Sequence, residues 1–209
     1  MNSFAMQSYY KRRFFKTLLP PDDIEAIIES AMNRLFGHLR TISKHRRLVR
    51  SHCFKAGIPW RGIVHDLSKY SPSEFIPGVK YYSGDHSPTA DERKELGYSK
   101  AWMHHKGRNR HHYEYWTDSS PETGKNGPVK MPLVFTIEMF CDRMAASKVY
   151  MKDKYTDRHP LEYFKKKNSQ EDMHPETAEL LERLVTMLAD KGEDETFGYI
   201  RRELLGKKR

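Results

Sequence analysis

Apolar residues recur at intervals of three and four along most of the chain, which is the spacing of amphipathic helices rather than of strands. The first such segment, PPDDIEAIIES, places prolines and aspartates ahead of Ile24, Ile27 and Ile28, an order typical of a helix N-terminus. We expect Gly37 to end or kink this helix, and a second helix to run from there to about Ala56.

The later part of the chain alternates between helical patterns and segments rich in Gly, Pro, Ser and Tyr. Further helices are predicted over residues 59–67, 91–106, 132–150 and 174–192, with a last short helix that holds Phe197, Ile200 and Leu204. Long loops are predicted at 71–91 and 118–127. No stretch alternates between apolar and polar residues for long enough to form a sheet, so the predicted fold class is all-α.

Length and composition favour a single domain. A chain of 209 residues is long enough for one sizeable core and short for two. Apolar residues make up only 37%, but aromatic residues reach 12%, so we expect a folded protein with polar helix surfaces rather than a disordered chain. We predict a basic and aromatic N-terminal segment at 1–20 and one helical domain at 21–209, with its functional core at about 38–150 and C-terminal helices at about 175–205.

The sequence lacks the marks of a membrane or secreted protein. Its longest apolar stretch, MPLVFTIEMFC, is interrupted by Glu138 and falls short of the roughly 18 residues that span a bilayer. The N-terminus has no continuous apolar core ahead of a small-residue cleavage site. Cys53 and Cys141 lie in helical apolar patterns without a CxxC partner, so we expect buried free thiols and a reducing compartment, the cytoplasm.

Positive charge is concentrated in one part of the chain. The formal net charge is +9, and the segment from Ser30 to His65 carries eight Lys and Arg residues and no acid. Such a segment favours anionic partners, namely phosphate esters, nucleotides or nucleic acid. A solvated helix face accounts for the same charges equally well.

A row of histidines shares one face of the second predicted helix. His38, Ile42, His45, Val49 and His52 follow one another at intervals of 4, 3, 4 and 3, which places them on a single side. A histidine on such an apolar face is more often a hydrogen-bonded core residue than a metal ligand. The choice between the two therefore depends on the other polar residues of the chain.

Several groups with metal-binding chemistry accompany this row. His65 and Asp66 end an apolar run, and one short segment contributes four more histidines: His104, His105, His111 and His112. Asp142 lies within the apolar helix PLVFTIEMFCDRMAAS, where a carboxylate must be paired, protonated or coordinated because an isolated buried charge is costly. Imidazole and carboxylate ligands together suit Mn, Fe, Co, Ni or Zn, so we predict one or two divalent transition-metal ions.

His45, the adjacent pair His65 and Asp66, and the later Asp142 resemble, in type and order, the HD-domain superfamily of helical metal-dependent phosphohydrolases. The resemblance covers roughly residues 38–150 and implies a single-domain helical bundle of the HD type. It also implies a phosphohydrolase that acts on a nucleotide or another small phosphate ester through a metal-activated water. The strings SKHRRLV, HDLSKYSPSEF, AWMHHKGRNRHHYEYW and EMFCDRMAASK are more closely similar to a small family of uncharacterised bacterial and phage proteins, which supplies no established reaction.

The resemblance assigns roles to individual residues. The implied metal ligands are His45, His65, Asp66, His105, His112 and Asp142, with His104 and His111 open as alternatives to the two cluster histidines. The stretch HDLSK is similar to the His-Asp-x-Gly-Lys form of the motif, which implies that Lys69 contacts a substrate phosphate. Lys69 and Asp66 are therefore the first catalytic candidates.

Four further residues complete the predicted site. Glu74 is a third catalytic candidate, which would accept a proton from the attacking water or bond a ligand histidine, or would only cap the turn after SPS. Arg61 and Lys106 are expected to help Lys69 bind the substrate anion. Trp102 would stack on a base or sugar, unless it only packs in the core.

Two other functions fit the same residues. The first is an HD-fold di-iron oxygenase, because some HD-fold proteins that this chain resembles use extra histidines to hold two irons and cleave a carbon bond with oxygen. The second is a nucleic-acid-binding or regulatory protein of the phage type, with a structural metal site and a basic helix that binds nucleic acid. The predicted partners are a small anionic phosphate-containing substrate first and nucleic acid second, with no membrane, and a homo-oligomer is an open option.

Overall fold

Helical structure dominates the chain. The computed structural model describes residues 21–167 and 170–206. Within these residues the α-helices are α1 (Pro21–Ala56), α2 (Pro59–Val64), α3 (Pro72–Lys80), α4 (Pro88–Leu96), α5 (Lys100–Arg108), α6 (Leu133–Met151), α7 (His159–Lys167) and α8 (Pro175–Tyr199). Tighter helical turns occupy Leu67–Tyr70, Tyr113–Tyr115 and Lys152–Lys154, and a π-helical turn, Ile200–Leu204, follows α8. The all-α prediction is confirmed, whereas the predicted N-terminal segment 1–20 lies outside the described residues.

Gly37 lies inside α1 without interrupting it, so the predicted break at this residue is wrong. A methyl group at Gly37 would clash with the ring of Tyr82, whose hydroxyl is 3.0 Å from Oγ1 of Thr41, one turn further along α1. The glycine therefore permits the close approach of this tyrosine. The helix tolerates it because a glycine costs only about 1 kcal/mol relative to alanine in a helix interior.

The segment predicted as a long loop, 71–91, is mostly helical. Pro72 and Pro88 begin α3 and α4 at the first helical position, where the missing proline N–H costs no hydrogen bond. The helix predicted over 91–106 is instead divided at Gly97, which ends α4 with a left-handed φ of 79°. Both errors arise because proline and glycine begin and end helices as readily as they form loops.

A short hairpin follows the histidine-rich segment. Strands β1 (Thr117–Ser119) and β2 (Asn126–Pro128) pair antiparallel, with Thr117 opposite Pro128. The predicted loop 118–127 therefore includes most of a hairpin. Its strands are too short to show an alternation of apolar and polar residues.

The hydrophobic core forms around α6, which lies close to its predicted position. Buried residues occupy nearly all of its faces: Ile137, Met139, Phe140, Cys141, Met144, Ala145 and Val149. Helix α1 contributes Val49 and Cys53 to the same cluster, and α8 contributes Leu184 and Leu188. Any polar side chain on the buried part of α6 is therefore removed from water.

Helix α8 confirms the predicted surface helix and extends it. Leu181, Leu184 and Leu188 have no exposed surface, as their helical spacing predicts. Gly192, with a φ of 78°, kinks the helix, which continues to Tyr199 and into the π-helical turn. Because Gly192 is not helical, it separates two helical segments, and the second of them is the C-terminal helix predicted to hold Phe197, Ile200 and Leu204.

Two smaller expectations concern the cysteines and the membrane. Cys53 and Cys141 are unbridged and buried, as predicted. No described helix is long and apolar enough to cross a membrane.

Candidate metal centre

Asp66 stands at the centre of a polar cluster buried between α1, α2 and α6. Helix α2 ends at Val64, and the following turn gives Asp66 a left-handed φ of 53°. This conformation costs about 1–2 kcal/mol for a residue with a side chain, although Asp tolerates it better than most. The carboxylate is directed inward, and only 1% of the residue is exposed. Backbone strain of this kind is concentrated at functional sites.

Asp66 and three other residues form a first group of ligand atoms. The group comprises His45 of α1, His65 and Asp66 at the end of α2, and Asp142 of α6, with donor atoms all within 4.8 Å of one another. Nε2 of His45 is 2.9 Å from Oδ1 of Asp142, and Nε2 of His65 is 3.3 Å from Oδ2 of Asp66. Atoms bonded to one ion at about 2.0–2.2 Å are separated by roughly 3 Å or slightly more, so these side chains fit a single ion.

Asp66 also belongs to a second group, formed with His105 of α5 and with His111 and His112 beyond it. Oδ1 of Asp66 is 3.4 Å from Nε2 of His105 and 3.4 Å from Nε2 of His111. The two oxygens of one carboxylate therefore face different groups. If both groups held ions, Asp66 would be shared between them.

The four clustered histidines differ in what they face. His111 joins the second group together with His105 and His112, whereas His104 donates a hydrogen bond to Glu74 and belongs to neither group. Spacing along a continuous helix would fit His105 with His112 and His104 with His111 alike, but α5 ends at Arg108, before His111, so helical spacing does not apply across this segment. Metal ligation by each of these side chains stays a prediction.

Most side chains of the two groups offer donor atoms that lack the hydrogen bonds buried polar atoms normally make. Among the described residues, buried atoms without such a bond include Nε2 of His45, His65, His111 and His112 and both carboxylate oxygens of Asp66. The ammonium of Lys69 lies 2.8 Å from Oδ2 of Asp66, but not at hydrogen-bonding angles. Each unsatisfied buried group costs about 1–3 kcal/mol, a cost that a bound cation would remove.

The electrostatics of the site keep its carboxylates ionised. Burial raises the pKa of Asp66, but the positive charges of His65 and Lys69 outweigh it and hold that pKa well below its usual range. Burial also raises the pKa of Asp142, and its contacts with His45 and His65 again bring the pKa well below the usual range. Burial and the charge of Lys69 lower the pKa of His45, which leaves its ring neutral. Ionised carboxylates and neutral imidazoles are the protonation states that metal ligation requires.

His65 differs because three carboxylates surround its ring. Burial alone lowers its pKa, but Asp66, Asp142 and Glu138 outweigh burial and raise the pKa well above its usual range. The ring is therefore protonated on both nitrogens when no cation is bound, and a cation at Nε2 would displace one proton. Metal binding is expected to release protons for this reason.

Glu138 lies behind two of the candidate ligand histidines. Nδ1 of His65 donates to Oε1 of Glu138 over 2.9 Å, and Nδ1 of His111 is 3.3 Å from the same oxygen. Arg61 donates to the other oxygen from its Nε over 2.6 Å. Arg61, predicted to bind the substrate, is thus engaged by Glu138, which the sequence analysis did not assign to the site. The available signal was a lone acid in the apolar stretch MPLVFTIEMFC.

Glu74 occupies the corresponding position behind the second group. Its Oε2 accepts a hydrogen bond from Nδ1 of His105 over 2.6 Å, and its Oε1 accepts one from Nδ1 of His104 over 2.7 Å. Burial raises the pKa of Glu74, but the hydrogen bonds from these two histidines bring it below its usual range. Of the roles predicted for Glu74, the geometry supports bonding to a ligand histidine.

The predicted substrate residues lie at different distances from the two groups. Lys69 is at the rim, with 30% of its side chain exposed. The ring of Trp102 lies against the histidine cluster, with its centroid 4.8 Å from that of His112. Lys106 is half-buried on α5, and no hydrogen bond or ion pair among the described residues joins its side chain to either group.

Comparison with known proteins adds a family but no reaction. Residues 34–187 match the model of DUF5662, described as a family of unknown function. The chain belongs to this family. Nothing among the curated proteins or the solved structures is significantly similar to it. The match includes every residue of both ligand groups, so the candidate metal centre lies within the DUF5662 region.

Proposed function

We propose that this DUF5662 protein is a metal-dependent phosphohydrolase that acts on a nucleotide or another small phosphate ester. The observation that carries the proposal is the convergence on Asp66 of buried ligand atoms without hydrogen bonds, from α1, the end of α2 and the segment after α5, with Asp142 of α6 beside them. A purely structural polar cluster would satisfy its own hydrogen bonds, because unmade bonds in a protein interior are unfavourable.

The residues present fit divalent transition ions. One ion would be held by His45, His65, Asp66 and Asp142, and a second by Asp66 with His105, His111 and His112. This mixture of nitrogen and oxygen ligands suits Mn, Fe, Co, Ni or Zn. When bound, such an ion lowers the pKa of a water ligand to about 7 and polarises a phosphate oxygen. The order of the first four ligands along the chain also resembles that of HD-domain phosphohydrolases.

Lys69 supplies the positive charge for the substrate. Burial lowers the pKa of its ammonium, but the carboxylates of Asp66 and Asp142 outweigh burial and raise it, so Lys69 stays protonated. From the rim of the site the ammonium can bind an anionic phosphate oxygen and orient the ester towards the two groups. The ring of Trp102, beside the histidine cluster, offers a face to a base or sugar.

One observation favours a second function. The second group contains three histidines and one carboxylate, a nitrogen-rich set that also suits iron. Some HD-fold proteins hold two irons and use oxygen to cleave a carbon bond, so a di-iron oxygenase is our alternative proposal. Iron as the resident metal, oxygen uptake and no phosphate release would favour it over the phosphohydrolase.

Metal content tests the proposal directly. Untagged protein purified without chelator is compared with the Asp66→Ala and Asp142→Ala variants by elemental analysis, and each is assayed for phosphate release from p-nitrophenyl phosphate and a panel of nucleotides. We expect one or two transition-metal equivalents that both variants lose, together with metal-dependent phosphate release. Metal-free wild type with both variants folded would overturn the proposal. Tight, salt-sensitive binding of nucleic acid without turnover would instead favour a binding protein.

A further inference from the structure

We propose that Glu138 is a positioning residue shared by both ion sites and that Arg61 anchors it. The inference rests on the proposed metal-dependent function, because it concerns the orientation of two of the ligands, His65 and His111. Glu138 contacts neither substrate nor ion in this assignment. It acts through the two histidine rings.

Glu138 is a fixed negative charge inside the core. The residue has 0% exposure and lies between Ile137 and Met139 in the apolar part of α6. A buried carboxylate is tolerated only when it is paired, and every polar contact described above for Glu138 leads to Arg61 or to a ligand histidine.

Both rings meet Glu138 through Nδ1. The distances to Oε1 are 2.9 Å from His65 and 3.3 Å from His111. A proton held at Nδ1 leaves the Nε2 lone pair available to an ion. These Nε2 atoms lie 3.3 Å from Oδ2 and 3.4 Å from Oδ1 of Asp66, so they belong to different groups. One carboxylate thus favours a proton at Nδ1 of one residue in each group, through a hydrogen bond to His65 and through its charge at His111, whose Nδ1 is close to Oε1 but makes no hydrogen bond.

Arg61 holds Glu138 in this orientation. Its Nε donates to Oε2 of Glu138 over 2.6 Å, and its guanidinium lies over the ring of Phe135 with Cζ 4.6 Å from the ring centroid. Because Oε2 is engaged by Arg61, Oε1 is directed towards the histidines. The guanidinium also balances the charge of Glu138 without occupying a ligand atom.

A third ion between Glu138 and the two histidines is disfavoured by the same geometry. His65, His111 and Glu138 offer donor atoms close enough to hold one. However, 2.9 Å between Nδ1 of His65 and Oε1 is the length of an ordinary N–H···O hydrogen bond. The guanidinium of Arg61 beside Glu138 would also repel a further cation.

Glu74 provides a matched comparison within the same protein. It bonds Nδ1 of His105, which belongs to the second group, and of His104, which belongs to neither. Glu138 should therefore influence both ions, whereas Glu74 should influence only the second.

Titration of the metal-free, full-length chain with cobalt(II), followed by calorimetry and visible absorption, tests this difference. For a wild type that binds two ions, we expect Glu138→Gln to weaken both by about 10–100-fold and Glu74→Gln to weaken only one by a similar factor. For a wild type that binds one ion, in the first group, Glu138→Gln should weaken it and Glu74→Gln should not. The surface substitution Glu95→Gln is the control that changes neither affinity, and thermal unfolding of each metal-free variant verifies that it is folded.

The outcomes separate this inference from the function on which it rests. A folded Glu138→Gln variant that binds cobalt with wild-type affinity and absorption would overturn the role of Glu138 and leave the metal centre intact. A wild type that binds no cobalt would overturn the proposed function itself and this role with it.

A second measurement does not depend on affinity. In zinc-loaded, ¹⁵N-labelled wild type, the Nδ1–H protons of His65 and His111 should resonate downfield and exchange slowly, because both nitrogens are buried and face Oε1 of Glu138 over 2.9 Å and 3.3 Å. Their loss or upfield shift in Glu138→Gln supports the assignment, and unchanged resonances contradict it. If Glu138→Gln does not fold, Glu138→Asp gives the same test, because its shorter side chain lengthens both contacts.

Discussion

His45 and His52 lie on the same face of α1, seven residues apart, and both are buried. At His52 both ring nitrogens have partners: Nδ1 donates to the carbonyl oxygen of Cys141 over 3.2 Å, and Nε2 accepts from the ammonium of Lys148 over 3.2 Å. At His45, Nε2 has no hydrogen bond and lies 2.9 Å from a carboxylate oxygen of Asp142. One histidine is a satisfied core residue, and the other has the surroundings of a ligand.

The difference comes from what α6 brings to each ring. It presents a backbone carbonyl and a lysine to His52, and an aspartate to His45. The third histidine of the row, His38, instead packs against Phe75 and Tyr82. Equal spacing along one helix therefore does not imply equal roles, because the partners lie on other helices.

The largest expected effect is at Asp66, which both ligand groups share. Asp66→Ala should reduce bound metal from one or two equivalents to none and phosphate release to background, as measured by elemental analysis and a phosphatase assay. The same variant should remain folded by circular dichroism. Wild-type metal content in Asp66→Ala would contradict the bridging role.

Substitution of His45 and of His52, one at a time, tests whether the two histidines of the row have different roles. His45→Ala removes a proposed ligand and should lower cobalt affinity by about 100-fold or more, since removal of a ligand costs at least as much as removal of its outer partner. His52→Ala should leave that affinity nearly unchanged but lower the free energy of unfolding by about 2–3 kcal/mol, because it leaves a cavity and an unpaired carbonyl of Cys141. Cobalt titration and urea unfolding measure the two effects. Similar losses of cobalt affinity in both variants would show that the row has one common role.

The protonation of His52 predicts an acid sensitivity that needs no metal. Burial and then the charge of Lys148 lower its pKa from 6.5 to about 4. Below pH 6.5 His52 takes up a proton in the unfolded chain but not in the folded chain. Protonation therefore favours the unfolded chain, and the free energy of unfolding falls progressively between pH 6.5 and pH 4, while above pH 6.5 it is unaffected by His52. The loss amounts to about 3 kcal/mol at the acid end.

Urea unfolding of metal-free wild type and His52→Gln across this pH interval measures the effect. The variant should lose less stability on acidification than the wild type, because glutamine does not titrate. Parallel pH profiles for the two proteins would argue that His52 is not buried in its neutral form.

The smallest expected effect concerns His38. A methyl group at Gly78 would clash with its ring, so Gly78→Ala should lower the free energy of unfolding by about 1–2 kcal/mol without changing cobalt affinity. Gly107→Ala is the control, because a methyl group there meets no atom within 4 Å. Equal thermal stability of the two variants would contradict the packing of His38 against α3.

Two long segments were predictable, α6 from its run of apolar residues and α8 from the helical spacing of its leucines. When apolar residues recur at helical spacing over several turns, as in α8, they identify the face of the helix that is buried. The continuity of α1 through Gly37, the break at Gly97 and the helices within 71–91 were not predictable. Glycine and proline can break a helix, cap it or permit close packing, and the sequence does not show which. Only the contact with Tyr82 identifies the reason for Gly37.

The sequence by itself determined the all-α class and the kinds of ligand the chain can offer, because helical periodicity and side-chain chemistry are local properties. Tertiary structure alone decided that His45 rather than His52 faces Asp142, that His111 joins His105 and His112, and that Glu138 lies behind two ligand rings. These relations join residues far apart in the chain, and they depend on how α1, α2 and α6 pack. A carboxylate in an apolar segment indicates that burial of its charge is unfavourable unless it is paired. Only the packed structure shows which groups pair with it.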